Sequence, residues 1–180
     1  DVLKFDFSTL TTQQQLLRIL GNLPYNISTP LLFHLLQYQQ LIHDMVFMLQ
    51  LEVVERLAAT PGSGSYGRLS VMMQYHCKVE QLFKVPPGAF VPQPKIDSAI
   101  VRLTPHRPLP VVANDTTRLA TVVKSAFSQR RKTIRNTLRD LITIEQMQSL
   151  QLDPTLRAEN LSVSDYVRLA NLPAEASTNT

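Results

Sequence analysis

The chain has 180 residues, a formal net charge of +4 and 44% apolar residues, so it can bury a core as one large domain or two small ones. No apolar run reaches the roughly 18–20 residues that a membrane helix requires, and the acidic Asp1 does not fit the basic start of a signal peptide. The single cysteine, Cys77, excludes an internal disulfide and favours a reducing cytoplasm. Because the chain starts without methionine, on what resembles the end of a strand, we expect an amino-terminally truncated protein.

The first hundred residues show strands alternating with helices. An apolar run at residues 18–21 ends in a Gly-Asn-Leu-Pro-Tyr turn, which is typical of a buried strand that meets a loop. Ser28 is predicted to cap a helix with Pro30 in its first turn. The unbroken apolar run at residues 45–49 indicates a strand that is covered on both faces. Further helices are expected at 51–59 and 69–75, and further strands at 79–85 and 98–103. The alternation predicts an α/β sheet, and the last two strands should be antiparallel neighbours because no helix separates them.

A polar, proline-containing stretch follows, and beyond it the patterning is only helical. We therefore expect a partial α/β domain at residues 1–104, a linker at 105–114, a small all-α domain at 115–173 and a tail at 174–180. Residues 105–180 hold 10 basic and 7 acidic side chains, whereas residues 1–104 hold 8 and 7. The basic excess therefore lies mostly in the helical part.

The tetrapeptide Asn22-Leu23-Pro24-Tyr25 at the end of the first predicted strand is the sharpest candidate site. An exocyclic adenine amine is a poor nucleophile because its lone pair is delocalised into the ring. Two acceptors, the side-chain oxygen of Asn22 and the carbonyl of Pro24, would favour a more pyramidal nitrogen, and Tyr25 could stack on an extruded base. The alternative is a plain turn with one aromatic residue in the core. The position at a strand end favours the site, because ligands bind there in open α/β sheets.

A second candidate is Phe90, which lies in the proline-rich stretch at residues 86–94. A stiff loop that presents an aromatic ring could supply another stacking surface for a flipped base. The spacing alone favours a connector whose Phe90 fills the core.

A third candidate is a basic segment without any acidic residue, from Lys124 to Arg139. On one helix, Arg131, Arg135 and Arg139 would align on a face that differs from the apolar stripe. Like charges aligned in this way repel one another, so a polyanion is their natural counterpart. The alternative is a solvated helix face.

The segment Gly62-Ser63-Gly64-Ser65-Tyr66-Gly67 matches the Gly-x-Gly-x-x-Gly dinucleotide fingerprint. The fingerprint functions only between a strand and a helix, and this segment follows a predicted helix, so we interpret it as a flexible loop. The scattered histidines and the single cysteine lack the spacing of metal ligands, and we predict no metal site.

Together these residues resemble the ribosomal RNA adenine dimethyltransferase family, and within it the bacterial small-subunit (KsgA-type) branch. The resemblance rests on residues 1–3, 21–30, 66–71, 85–98, 127–136 and 157–160. It implies the carboxy-terminal half of a Rossmann-like S-adenosylmethionine-dependent methyltransferase sheet, followed by a small all-α RNA-binding domain. It also implies N6,N6-dimethylation of two adjacent adenines near the 3′ end of 16S rRNA, in the small subunit or its precursor. We expect a cytoplasmic monomer.

The resemblance also implies roles for individual residues. Asn22, Leu23, Pro24 and Tyr25 match the catalytic motif, and Phe90 matches the aromatic residue on the other side of the target base. The expected cofactor contacts are Asp1, Val2 and Asn22, with Asp1 accepting from the adenine amino group of the cofactor. The expected RNA-binding residues are Arg68, Lys95, Arg130, Arg131, Lys132, Arg135 and Arg139. The family's glycine-rich loop and ribose-binding acid would lie upstream, so we expect an incomplete cofactor site and an inactive chain.

Two other functions remain open. A non-catalytic ribosome-assembly factor could use the same basic surface, although it would not need the motif at residues 22–25. A large-subunit rRNA adenine methyltransferase of the antibiotic-resistance type would share the pocket, but by resemblance residues 130–136 fit the small-subunit enzyme better.

Overall fold

The computed structural model describes residues 1–11 and 15–173, so the expected tail at 174–180 lies outside the described residues. Within them, four strands form one mixed sheet in the order β1-β2-β4-β3. The strands are β1 (Leu17–Asn22), β2 (Ile42–Gln50), β3 (Cys77–Val85) and β4 (Ser98–Pro105). β1 runs parallel to β2, and β4 runs antiparallel to both β2 and β3. The predicted α/β class and the antiparallel pairing of the last two strands are confirmed.

The two neighbouring strands β1 and β2 differ in burial. Met45, Phe47 and Leu49 of β2 are fully buried, and the side chains that alternate with them are half-buried, as the unbroken apolar run predicts. β1 instead alternates between half-buried and exposed side chains, and Leu20 is 77% exposed. β1 is an edge strand of the described sheet, so it is only partly buried, in contrast to the buried strand that its apolar run predicted.

Two helices flank these strands in the sequence, α1 (Ser28–Leu36) and α2 (Leu51–Ala58). The leucines of α1 are buried, including Leu32 and Leu35. Ser28 does not cap this helix, because Ile27 holds the cap position and Ser28 is the first helical residue. Its hydroxyl donates to the carbonyl of Tyr25 at 3.2 Å, which fixes the turn that leads into the helix.

The remaining helices are α3 (Arg68–His76), α4 (Thr116–Ala126), α5 (Ile134–Thr137), α6 (Ile144–Ser149) and α7 (Val163–Ala170). Short 3₁₀ helices cover Val2–Lys4, Phe7–Leu10, Gln39–Leu41, Pro87–Ala89 and Ala158–Asn160. Polar caps explain where the longer helices begin. The Asp115 carboxylate accepts from the backbone of Thr117 at 2.8 Å to start α4, and Ser162 forms a capping box with Asp165 at α7.

The chain divides into two compact units, and the second is discontinuous in sequence. The first contains residues 1–58 and 76–109, and the second contains residues 59–75 together with the chain from Pro110 onward. Tyr66 packs edge-on against Phe127 with ring centroids 6.3 Å apart, and the hydroxyl of Tyr75 accepts from the backbone N–H of Ala113 at 3.2 Å. A linear boundary at residue 104 did not anticipate that residues 59–75 belong with the carboxy-terminal helices.

The described ranges lack the features of a membrane span and of a metal site. Neither 1–11 nor 15–173 holds a helix that is long and apolar enough to cross a membrane. In the same ranges, no group of three or more His, Cys, Asp and Glu side chains is placed to hold a metal ion.

Candidate functional site

A cavity of about 250 Å³ lies at the carboxyl end of β1, within the first unit. All five residues that were expected to be catalytic line it. The complete lining is Asn22, Leu23, Pro24, Tyr25, Met48, Phe90, Pro92, Pro94 and Ser98. Strand ends are where open α/β sheets bind ligands, because loops from neighbouring strands meet there.

The start of the tetrapeptide is fixed by the sheet and by one buried side chain. The N–H of Leu23 donates to the carbonyl of Met48 at 3.2 Å, which continues the pairing of β1 with β2 for one residue beyond Asn22. Leu23 is only 8% exposed, whereas Asn22 and Pro24 on either side of it are exposed. A Cβ atom at Gly21 would lie 3.1 Å from Leu23 Cδ2, so a larger residue would crowd this packing. The buried leucine therefore holds Asn22 and Pro24 at the cavity.

The Pro24 carbonyl is part of the turn that precedes α1. It accepts the N–H of Ile27 at 3.2 Å, so its direction is set by the backbone. A carbonyl oxygen has two lone pairs, and the second can accept from a ligand.

Two aromatic rings line the same cavity. The hydroxyl of Tyr25 is 3.4 Å from Oγ of the buried Ser98, and the tyrosine is 42% exposed. Phe90 follows the short helix at residues 87–89, its N–H donates to the Pro87 carbonyl at 3.2 Å, and its side chain is half-buried. The interpretation of Phe90 as a core residue is therefore wrong. A cavity with two such rings can hold a flat heterocycle.

Ser98 is a cavity residue that the sequence analysis missed. It is 1% exposed and begins β4, where it pairs with Gln50 of β2 and Val85 of β3. No local pattern distinguishes this serine from any other strand-start residue. Its relation to Tyr25 depends on the sheet order and could not be obtained from sequence spacing.

The expected cofactor residues do not meet in this cavity. Asn22 lines it, but Asp1 and Val2 are exposed and are not among its lining residues. The carboxylate of Asp1 accepts from the N–H of Leu3 at 3.0 Å and caps the short helix Val2–Lys4. Exposed residues of this kind fit the edge of a cofactor site rather than an enclosed one.

The expected RNA-binding residue Lys95 lies in the first unit, in a setting that does not favour a phosphate. It lines a second cavity, of about 400 Å³, together with the carboxylates Glu52, Glu55 and Asp97. Carboxylates repel an approaching phosphate, so Lys95 is a weaker candidate than the basic residues of the second unit.

The basic residues of the second unit do not share one helix, so the predicted alignment of Arg131, Arg135 and Arg139 is wrong. Thr133 is extended (φ −76°, ψ 160°) and forms a β-bridge with Arg157. The N–H of Ile134 donates to the carbonyl of Leu156 at 2.8 Å. These contacts with a distant segment replace the local hydrogen bonds of a helix, and only the four residues of α5 remain helical.

The basic side chains have different surroundings. The Arg130 guanidinium donates to the carbonyl of Gly64, which ties it to the loop at residues 62–67. Arg139 forms an ion pair with the exposed Asp140 at 3.5 Å. Arg68 is exposed at the first position of α3.

Three basic side chains remain more open. Arg131, Lys132 and Arg135 are exposed and form no ion pair within the described ranges. The pKa of Asp153 is lowered, first by hydrogen bonds from Thr155 and to a smaller extent by the charge of Arg135. Arg131 and Lys132 are thus the most available cations for an anionic partner.

The loop at residues 62–67 follows α2 rather than a strand, so it lacks the context of a dinucleotide fingerprint. It is also anchored, in contrast to the flexible loop that was expected. Tyr66 is buried, and the N–H of Gly62 donates to the carbonyl of Glu159 at 2.6 Å.

The sequence matches the family described as ribosomal RNA adenine dimethylase over residues 1–175. The chain belongs to this family. The ribosomal RNA small subunit methyltransferase A of Pseudomonas aeruginosa is 60% identical over 179 residues, which cover 99% of this chain and 67% of that protein. The corresponding protein of Hahella chejuensis is 58% identical over 171 residues, which cover 95% and 63%. The chain thus spans about two thirds of the length of these relatives.

Two solved structures are similar to this chain. A dimethyladenosine transferase from Plasmodium falciparum matches with a TM-score of 0.75 and 25% identity, over 88% of this chain and 67% of that one. The 23S rRNA methyltransferase ErmE matches with a TM-score of 0.67 and 23% identity, over 92% and 68%. The second likeness concerns the fold alone. The described sheet is therefore part of the Rossmann-like methyltransferase fold of the dimethylase family.

Proposed function

We propose that the complete protein uses S-adenosylmethionine to dimethylate N6 of two adjacent adenines near the 3′ end of 16S rRNA, during ribosome biogenesis. The observation that carries this proposal is that Asn22, Pro24, Tyr25 and Phe90 line one cavity at a strand end. Membership of the dimethylase family and the names of the bacterial relatives support the reaction and the substrate.

In the proposed mechanism, polar groups of the tetrapeptide hold the reacting amine. The side-chain oxygen of Asn22 and the free lone pair of the Pro24 carbonyl accept hydrogen bonds from the two N–H groups of adenine N6. This pair of contacts favours a pyramidal nitrogen whose lone pair points away from the ring. Bound S-adenosylmethionine supplies the methyl group. The nitrogen loses its proton to water after transfer, so the cavity needs no general base.

The aromatic side chains hold the base itself. Tyr25 and Phe90 stack on the adenine ring, which must leave the RNA helix to enter a cavity of this kind. The bond between the Tyr25 hydroxyl and Ser98 limits rotation of the tyrosine ring and keeps its face toward the base. A stacked ring also stabilises the positive charge that develops on the methylated base.

The basic residues of the second unit position the RNA. Arg131 and Lys132 contact phosphates first, since they are exposed and without an ion pair in the described part of the chain. Arg68, Arg135 and Arg139 add to the same electrostatic attraction. The proposed partner is 16S rRNA in the small subunit or its precursor, bound by a monomer in the cytoplasm.

We also propose that the 180-residue chain alone binds S-adenosylmethionine poorly, because Asp1 and Val2 are exposed and lie outside the lining of the Asn22 cavity. Calorimetric titration of this chain with the cofactor should give no micromolar binding. Tight binding would contradict the proposal.

The function is tested by radiolabelled methyl transfer to small ribosomal subunits that lack the modification. This chain is compared with a chain extended upstream to the length of its relatives, with and without Tyr25→Ala. We expect activity in the extended chain only. Tyr25→Ala should strongly reduce that activity and leave particle binding intact. Binding without activity in either chain would contradict the proposal and favour a non-catalytic assembly factor.

A further inference from the structure

A polar cavity of about 400 Å³ lies in the second unit, apart from any residue assigned to the methyl-transfer site. Its seven lining residues are all polar: Ser128, Gln129, Lys132, Asn136, Thr137, Arg139 and Asp140. A volume of this size falls in the range of small-molecule sites, which is about 300–1,000 Å³. Small-molecule sites are mostly apolar, however, so this lining suits a ligand that is itself polar over most of its surface.

The walls of this cleft are fixed by the backbone. The N–H of Lys132 donates to the carbonyl of Gln129 at 3.0 Å, which closes the turn on one side. On the other side, Asn136 belongs to α5, whose neighbouring side chains Ile134 and Leu138 are fully buried. The cleft is therefore bounded by a hydrogen-bonded turn on the surface and by a short helix that is anchored in the core.

The carboxamide of Asn136 has a defined orientation. Its Nδ2 donates to Oγ1 of Thr133 at 3.2 Å. That bond uses one N–H and leaves the side-chain oxygen and the second N–H available. An acceptor beside a donor matches N6–H and N7 of adenine, the pairing that asparagine and glutamine make with this base. Gln129 adds a second exposed carboxamide to the same cleft.

The charges of the cleft suit a nucleotide phosphate at one end. Lys132 is exposed and has no ion pair in the ranges that the structure describes. Arg139 is already paired with Asp140 at 3.5 Å, and the carboxylate of Asp140 would repel a phosphate at that end of the cleft. A phosphate should therefore contact Lys132, with the base directed toward the carboxamides.

We propose that this cleft binds one unpaired adenine nucleotide of the ribosomal RNA, distinct from the adenines that are methylated. Asn136 and Gln129 read the base, and Lys132 holds its phosphate. The base must be unpaired and outside a helix, because the deep major groove of an RNA helix hides N6 and N7 from side chains. The inference rests on the proposed RNA-binding function and adds a sequence-reading contact to it.

The test measures fluorescence anisotropy of the 180-residue chain with nine-nucleotide RNAs, each of uridines around one central A, C, G or U. The wild-type protein should bind the adenine RNA more tightly than the other three, by roughly 5- to 100-fold. Asn136→Ala should remove this preference without changing the salt dependence, because it removes no charge. Gln129→Ala changes a residue in an exposed turn and should weaken the preference. It replaces Asn136→Ala as the test variant if Asn136→Ala does not fold.

Two control variants separate the possible outcomes. Lys132→Ala should weaken binding to all four RNAs and reduce the slope of the salt dependence by about one. Gln148→Ala, an exposed carboxamide outside the cleft, should change nothing. Binding of the four RNAs without preference, or a preference that survives Asn136→Ala and Gln129→Ala, would overturn the adenine site alone. Absence of binding to any RNA would overturn both this inference and the proposed RNA-binding role.

Discussion

Replacing Tyr66 with phenylalanine should stabilise the protein, which is unusual for a change at a buried position. Tyr66 is 2% exposed, and its ring packs against Phe127. Its hydroxyl has no hydrogen-bond partner in the part of the chain that the structure describes. Burial raises the pKa of this hydroxyl to about 12, and the charge of Asp165 acts in the same direction. Folding thus removes the hydroxyl from water without giving it a new bond.

The size of the effect follows from the cost of that lost solvation. A buried hydroxyl without a partner costs about 1–3 kcal/mol, and phenylalanine keeps the ring packing. Tyr66→Phe should therefore raise the free energy of unfolding by about 1 kcal/mol. In thermal unfolding, this gain corresponds to a rise in the midpoint temperature of roughly 2–4 °C for a chain of this length. Tyr166→Phe is the matched control. Its hydroxyl donates to the Ala158 carbonyl at 2.7 Å, so its removal should destabilise by about 1–2 kcal/mol.

The assay is urea denaturation followed by far-UV circular dichroism, with the two variants and the wild-type protein in parallel. The slopes should agree, since neither change alters the surface exposed on unfolding, and only the midpoints should move. The midpoint should rise for Tyr66→Phe and fall for Tyr166→Phe. If Tyr66→Phe destabilised the protein as much as Tyr166→Phe does, the Tyr66 hydroxyl would have a bonding partner and the reasoning would be refuted.

Three further changes have defined outcomes. Gly21→Ala puts a Cβ 3.1 Å from Leu23 Cδ2, so it should lower the free energy of unfolding by about 1–3 kcal/mol and reduce methyl transfer by the extended chain. Unchanged stability and activity would show that the Leu23 side chain can move aside for the added methyl group. Burial, with a smaller effect of a neighbouring histidine, lowers the pKa of His76 from 6.5 to about 4. As pH falls, this histidine is therefore protonated in the unfolded chain at a higher pH than in the folded protein. The free energy of unfolding should decrease by about 3 kcal/mol as pH drops from 6.5 to 4. Denaturation at several pH values should give a flatter profile for His76→Gln, and an identical profile would exclude this histidine as the cause. Arg131→Ala with Arg135→Ala should weaken small-subunit binding and flatten its salt dependence in filter-binding assays; an unchanged slope would exclude these residues from the interface.

The parts of the fold that the sequence predicted are those set by short-range patterns. The unbroken apolar run at residues 45–49 identified a strand covered on both faces, and the Pro-rich stretch without a helix identified the antiparallel pair. The position of Asn22 to Tyr25 at a strand end was also local information, so the cavity-lining tetrapeptide could be found before the structure was known.

The parts that could not be predicted depend on contacts between distant residues. Thr133 is extended because it pairs with Arg157, and no pattern within ten residues of it signals this break in the helix. Ser98 reaches Tyr25 only because the sheet has the order β1-β2-β4-β3. Phe90 has the spacing of a core residue, and the loop geometry brings it to the cavity instead.

The discontinuity of the second unit has a consequence for how the protein is made. The ribosome delivers the chain from the amino terminus, so residues 59–75 emerge well before α4 and α7. The first unit has all its residues once position 109 has left the exit tunnel. At that stage Tyr66, which is buried in the finished protein, still lacks Phe127, the ring against which it packs. A nascent chain that stalls soon after residue 109 would therefore present residues 59–75 to chaperones before their unit is complete, and residues 110–173 produced alone would lack part of their own core.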